Sequence, residues 1–267
     1  MEKRNVVQIK DQRSHQYNRY NIRVKQQDLT IPHSGKTPNI VSENPKAVFA
    51  VPPYVHLLDF GGPAQVFYEA KEEGASLELK YISTHSNHNT FPSSCGVEFT
   101  NLSDFTSISL RSGDVVFIPG LEFQYLQDKK FIEEARPFLD WVKSQHHNGA
   151  TICSICTGAY LVGEAGLLDG KECTTHWKYL TRFQKQFKNA IVVNNRLFVE
   201  HDNIFTSAGV ASGVDLALYI LEKRYGSLFA SKIAREIVIY FRREGNDPQL
   251  SIFLRYRNHI EDRVHTV

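Results

Sequence analysis

From residue 46 to residue 245 the chain alternates short apolar runs with longer stretches of helical period, and few architectures accept that order. "AVFAV" (47–51), "GDVVFIPG" (113–120) and "TICSI" (151–155) are continuously apolar over strand lengths, which marks strands covered on both faces. Between them, "LLDFGGPAQVFYEAKEEG" repeats Phe60, Ala64, Phe67 and Ala70 at helical spacing. "KKFIEEARPFLDWVKSQHHNG" (129–149) sets Phe131, Ala135, Phe138 and Val142 on one stripe, with Gly149 as its stop. "LELKYIS" (77–83) alternates as a strand, and "NAIVVNN", "LFVEH" and "NIFTSAG" read as further short strands. "TGAYLVGEAGLL", "SGVDLALYILEKRYG" and "SLFASKIAREIVIYF" read as helices. The expected fold is α/β, a mostly parallel sheet sandwiched by helices. In such sheets sites lie beyond the carboxyl ends of the strands. The segments that end at Asp59, Gly120 and Cys156 are therefore candidates to converge.

Composition narrows the class. Hydrophobic residues make up 42% and aromatic residues 12%, enough for a sizeable core. A net charge of +2 does not point to nucleic-acid binding by the chain as a whole. No apolar run approaches the roughly 20 residues of a membrane span. The opening "MEKRNVVQIKDQRSHQ" has no apolar signal-peptide core, so a cytoplasmic protein is expected. Cys95, Cys153, Cys156 and Cys173 are too few for a disulfide framework and suit a reducing compartment. Residues 1–45 carry eight Lys/Arg against four Asp/Glu and end in a Pro-, Ser- and Asn-rich stretch. They read as an arm, with one edge strand at "RYNIRVK" as the alternative.

"TICSICTGAYL" concentrates the chemistry. An apolar strand runs into Cys156 and breaks through Thr157-Gly158 into a helix. Backbone N–H groups at that helix start would stabilise a thiolate and could hold an oxyanion. This is the strand–elbow–helix logic of G-x-S-x-G nucleophiles. The alternative is a small buried cysteine at an ordinary junction, and the local sequence leaves both open. Cys153 completes a C-x-x-C with Cys156, but it falls inside the strand, which argues against a redox pair. His85-x-x-His88 has no third ligand nearby, so no metal site is expected, and no cofactor motif is present.

The segment "SICTGAYLVGEAGLLDGKECTTHW" closely resembles the nucleophile elbow of the ThiJ/PfpI superfamily, the class I glutamine amidotransferase-like, flavodoxin-like fold. It is most similar to the N-terminal domain of AraC-type transcription regulators and to isonitrile hydratases. "VPPYVHLLDFGGPAQVFYEA", "GDVVFIPG" and "IFTSAGVASGVDLALYILEKRYG" fit the same branch in order. The resemblance implies a domain over about residues 46–245. It implies that Cys156 is the elbow cysteine, faced by Asp59 as acid, and that Gly120 and Thr157 supply backbone donors beside Gly158. The Thr157 hydroxyl would touch a ligand, and His176 in "TTHW" would lie nearby as a general base or a packed residue. A protease-like histidine directly after the cysteine is replaced by Thr157, which disfavours peptidase chemistry.

The tail, residues 246–267, resembles the connector that leads into a helix-turn-helix domain in AraC-type regulators, and Ile252, Tyr256 and Ile260 share a helical stripe. The resemblance implies a dimeric ligand-sensing domain that binds a small nitrogen-containing metabolite and reaches DNA only through a helix-turn-helix domain absent from this chain, with no membrane role. The alternatives are a stand-alone isonitrile-hydratase-like enzyme, with Cys156 as nucleophile and Asp59 as acid/base, or a thiol-based stress protein.

Overall fold

The computed structural model of the protein describes residues 44–85 and 90–250. The "RYNIRVK" strand, His88 and the apolar stripe of the tail lie outside the described residues. A seven-stranded sheet forms the centre, in the order β10-β11-β7-β6-β1-β2-β5. The strands are β1 (Lys46–Val51), β2 (Glu78–Ser83), β5 (Ser103–Asp104), β6 (Val115–Ile118), β7 (Thr151–Ile155), β10 (Phe198–His201) and β11 (Ile204–Ser207). All neighbours are parallel except β10 against β11, which form an antiparallel pair at one edge. Two smaller pairs lie apart, β3 (Thr90–Pro92) with β4 (Glu98–Thr100) and β8 (Glu172–Cys173) with β9 (Ile191–Val192). The mostly parallel, helix-flanked sheet read from the sequence is the one observed.

Both faces of the sheet are dry, and the pleat decides which residue faces which layer. On β1, Val48 and Ala50 join a core with Phe131, Ala135, Phe138 and Val142 of α2 (Lys129–His147) and with α3 (Gly158–Glu164). Ala47 and Phe49 face the other side, against Ala64, Phe67 and Ala70 of α1 (Leu57–Glu72) and against α5 (Ala211–Tyr225) and α6 (Ser227–Glu236). There Phe49 stacks on Phe117 with ring centroids 5.1 Å apart. Cys153 lies in this second core, fully buried within β7, where the sequence places it.

Several boundaries differ from the sequence reading. The elbow helix stops at Glu164, because the chain turns at Gly166 with φ of +71°. The last helix ends at Glu236, where Val238 takes φ of +57°, so "IVIYF" is not helical. "NAIVVNN" contributes only two strand residues, outside the main sheet, while α4 (Leu180–Gln186) and β3 to β5 carry no periodic signal long enough to read. Among the described residues no helix is long and apolar enough to cross a membrane.

Candidate functional site

Four adjacent strands, β11, β7, β6 and β1, end at one edge, and the four turns that follow them build the site. Cys156 follows β7 directly and sits at φ +55°, a left-handed conformation that a non-glycine residue adopts only when its surroundings impose it. Its N–H donates to Ser207 O at 3.0 Å, and its carbonyl accepts from Thr175 Oγ1 at 2.8 Å. Two glycines and one turn fix the elbow. A Cβ on Gly158 would overlap the Ile118 carbonyl oxygen and stand 2.9 Å from that of Pro119, so the helix start presses on the end of β6. A Cβ on Gly120 would stand 2.5 Å from Asp59 Oδ2, 2.8 Å from Thr157 Oγ1 and 3.0 Å from Cys156 Cβ. The role the geometry gives Gly120 is space between acid and thiol, and its carbonyl accepts from His56 N at 2.9 Å.

Asp59 enters from the first turn of α1 and is 1% exposed. Its Oδ1 accepts from Val210 N at 2.6 Å, holding a valine at φ +51° and ψ −117°. Such a backbone costs a β-branched residue on the order of 1–3 kcal/mol, and the charge-assisted bond offsets it. Its Oδ2 has no hydrogen-bond partner among the described residues and lies 3.5 Å from His56 Nδ1. His56, Asp59 and Cys156 each offer one ligand atom, and the three atoms lie within 4.8 Å of one another.

Burial, not the helix start, governs the sulfur. Cys156 is 3% exposed, and desolvation followed by the Asp59 charge pushes its thiol well above the ordinary range. The Thr157 N–H opposes this and loses. With only seven residues in α3, the dipole behind that N–H is short. Of the two readings the local sequence leaves open, this burial favours the small buried cysteine over the activated thiolate, with the thiol protonated at neutral pH. The Thr157 side chain is also committed, since its Oγ1 accepts from Leu121 N at 3.1 Å and donates to Leu121 O at 3.0 Å, which leaves it to brace the turn. Asp59→Asn removes a charge that raises the thiol pKa. Its alkylation midpoint is expected at lower pH than in the wild type, whose own midpoint lies above the roughly 8.5 of an ordinary cysteine. An unchanged or higher midpoint in Asp59→Asn, read by peptide mapping of iodoacetamide adducts, sinks the assignment.

His176 lies within electrostatic reach of Asp59 and His56, and burial lowers its pKa, so the imidazole is neutral near pH 7. Its Nδ1 accepts from Lys178 N at 3.4 Å and caps the turn Trp177–Tyr179. No hydrogen bond joins it to Cys156 among the described residues. It lines a cavity of about 190 Å³ with Gly209, Val210, Ser212, Arg243 and Gln249. Gly209, at φ +98°, sits against the cysteine: a Cβ there would approach Cys156 Cα to 2.7 Å and Sγ to 2.8 Å. Small residues in such a run serve either close helix packing or the site. Packing is the role of Gly213, which meets Ile155 and Pro63, but not of Gly209.

A strap closes the cavity on its far side. Arg243 grips the buried Asp215 through Nε at 3.1 Å and Nη2 at 2.5 Å. Leu197 N donates to the carbonyls of Gly245 and Asp247, both at 3.0 Å. Gln249 Nε2 then donates to Thr174 Oγ1 at 3.2 Å and to Thr175 O at 3.1 Å. Since Thr175 also holds the Cys156 carbonyl, one threonine links strap and elbow. His56, Thr175, Gly209 and Val210 fall within the segments that carry the resemblance, and Gln249 within the tail, but none of them shows a site role in the sequence alone. His85 is placed elsewhere, its Nδ1 2.8 Å from Thr84 Oγ1 and its ring against Phe131.

A model of the DJ-1/PfpI family matches residues 45–223. The chain belongs to the DJ-1/PfpI family. Isonitrile hydratase of Pseudomonas putida is 30% identical over 178 residues, 67% of this chain and 71% of the hydratase. The HTH-type transcriptional regulator GbdR of Pseudomonas aeruginosa is 32% identical over 107 residues, 40% of this chain and 29% of the regulator. The chain thus matches under a third of that regulator's length. DJ-1beta of Drosophila melanogaster has a similar fold, with a TM-score of 0.62 at 20% identity, covering 74% of this chain and all of that one. An AraC family transcriptional regulator from Pseudomonas putida gives 0.56 at 17% identity, covering 73% of this chain and 99% of that one. The DJ-1/PfpI fold and the relation to AraC-type regulators and isonitrile hydratase agree with the resemblance read from the sequence.

Proposed function

We propose that this DJ-1/PfpI chain is the ligand-sensing part of an AraC-type transcription regulator, cytoplasmic and dimeric, which reaches DNA through a separate helix-turn-helix domain. The observation that carries this reading is the strap. Gln249 bonds the loop Thr174–Thr175 that also holds the elbow carbonyl, so whatever fills the cavity beside His176 and Gly209 acts on the segment leading toward the C-terminus. A buried, protonated thiol suits a pocket wall better than a nucleophile that waits as thiolate. Gln249 on the cavity wall, through Oε1, and Asp59 beside the elbow, through Oδ2, are buried acceptors with no hydrogen-bond partner among the described residues, which favours a small metabolite rich in N–H groups. A ligand at 100 times its Kd raises stability by about 2.7 kcal/mol. A thermal-shift screen of ammonium, amidine and guanidine metabolites should therefore find binders, and Asp59→Ala should abolish the shift. A screen with no hit, or hits unaffected by Asp59→Ala, sinks the reading.

The retained Asp59–Cys156 pair and the likeness to isonitrile hydratase favour a second reading, an enzyme. There Asp59 takes the Sγ–H proton as the sulfur attacks the terminal isonitrile carbon and hands that proton to the carbon, giving a thioimidate. Water adds to that carbon, the C–S bond breaks, and an N-substituted formamide leaves with the thiol restored. Formamide released from an isonitrile by the wild type and not by Cys156→Ser would put this reading first.

A further inference from the structure

The pair Asp59 and Cys156 does not account for the third group beside it, and Asp59 Oδ2 makes no hydrogen bond of good geometry among the described residues. His56 stands at the start of α1, where a side chain ordinarily caps the helix, yet it makes no capping hydrogen bond. Its Nδ1 instead faces Asp59 Oδ2 at 3.5 Å, too long for a hydrogen bond. Oδ2 belongs to a side chain that is 1% exposed and has no hydrogen-bond partner among the described residues. A buried carboxylate oxygen in that condition is costly unless something positive or a donor fills the gap.

We infer that His56 Nδ1, Asp59 Oδ2 and Cys156 Sγ form a site for one soft divalent cation, Zn²⁺ in the first place, with a fourth position open to water or a ligand. Imidazole, carboxylate and thiolate are the three ligand types zinc accepts, at about 2.0–2.1, 2.0–2.2 and 2.3 Å. Neighbouring ligand atoms on a zinc tetrahedron then stand about 3.3–3.6 Å apart. The imidazole and carboxylate already have that separation at 3.5 Å, and all three atoms lie within 4.8 Å of one another. The distances to Sγ lie within the same 4.8 Å, and His56, 35% exposed, is the ligand freest to adjust. The other two are held from outside the site. Val210 N fixes Asp59 through Oδ1 at 2.6 Å, an outer-shell bond that orients the oxygen left for the metal. Thr175 and Ser207 fix the elbow through the Cys156 backbone. Gly120 keeps the space between the ligands open, since a Cβ there would stand 2.5 Å from Oδ2. Binding replaces the Sγ–H proton, which leaves to water, and nothing is oxidised or reduced. The site holds whether the domain senses or catalyses, so its test does not depend on the proposed function.

The probe is Cd²⁺ followed by Zn²⁺, added to the metal-stripped chain in a Cys95→Ser background, which removes the exposed thiol. The expected result is a thiolate-to-cadmium absorption band that saturates at one equivalent. Zn²⁺ should displace that band and protect Cys156 from alkylation. His56→Gln keeps a polar side chain beside Asp59 but is a poor metal ligand. It should melt like the parent without metal and bind at least tenfold more weakly. No band, a band that Cys156→Ala leaves intact, or equal affinity in His56→Gln overturns the site. If His56→Gln fails to fold, His56→Asn with the same titration decides in its place.

Discussion

Gly209→Ala should lower the stability of the domain by about 3 kcal/mol, the sum of overpacking and backbone strain at a single atom. The new Cβ would overlap Cys156 Cβ and stand 2.7 Å from its Cα, and neither atom can yield, because the elbow is held at φ +55° by Ser207 and Thr175. The backbone at Gly209, φ +98°, adds strain for any L side chain. Gly226→Ala separates the two contributions. Gly226 has φ +87° but nothing within 4 Å of its Cβ position, so it should cost about 1 kcal/mol. Urea unfolding of both variants measures the difference, expected near 2 kcal/mol. Equal losses would mean that Gly209 does not press on the cysteine. A second readout follows from the same overlap: a displaced elbow exposes the thiol, so alkylation of Cys156 in Gly209→Ala should be faster at every pH.

Arg243→Met should be the most damaging change in the strap. It removes the cation that faces Asp215, whose side chain is 5% exposed against 37% for the arginine. Breaking a buried pair costs about 3–5 kcal/mol, and the half-exposed partner brings the expectation down to about 2–3 kcal/mol. The sign with pH follows from the carboxyl. Burial already holds Asp215 above its usual range, and Arg243 is the main influence pulling it back. Without Arg243 the folded pKa rises further. Stability tied to a raised carboxyl is present below the unfolded value of about 3.9 and is lost as pH climbs through the folded value. The deficit of Arg243→Met should therefore be greatest near neutrality and shrink toward pH 4. Adding Asp215→Asn should recover much of the loss at pH 7. A deficit independent of pH, or one that Asp215→Asn deepens, would show that the arginine acts through packing of its stem. Because Arg243 anchors the strap that carries Gln249, the variant should also uncouple ligand occupancy from the tail.

How much of this was legible can be seen from particular residues. Phe131, Ala135, Phe138 and Val142 announced a buried helix stripe, because period and chemistry agree over several turns. "AVFAV" and "TICSI" announced doubly covered strands for the same reason. Cys156, Asp59, Gly120 and Thr157 were readable as a group because each ends or follows a strand in a pattern the family shares. The roles of two of them were not. Thr157 was expected to offer its hydroxyl to a ligand, and a backbone pairing with Leu121 across the site occupies it. Whether the helix start activates the sulfur was open in the sequence, and burial outweighs a helix of seven residues.

Sequence alone determined what is local and repetitive: which segments are strands or helices, which face is apolar, and where a strand breaks into an elbow. Tertiary structure decided what depends on distance between remote segments. His56 and Asp59 facing Cys156, Gly209 against Cys156, and Gln249 on the loop that holds the elbow are contacts between turns that follow different strands or lie far along the chain. Periodicity cannot express them. They exist because parallel strands, joined by crossovers, deliver their carboxyl ends to one edge. The protonation of the thiol belongs to the same class, because desolvation is set by everything that surrounds an atom, not by its neighbours in sequence.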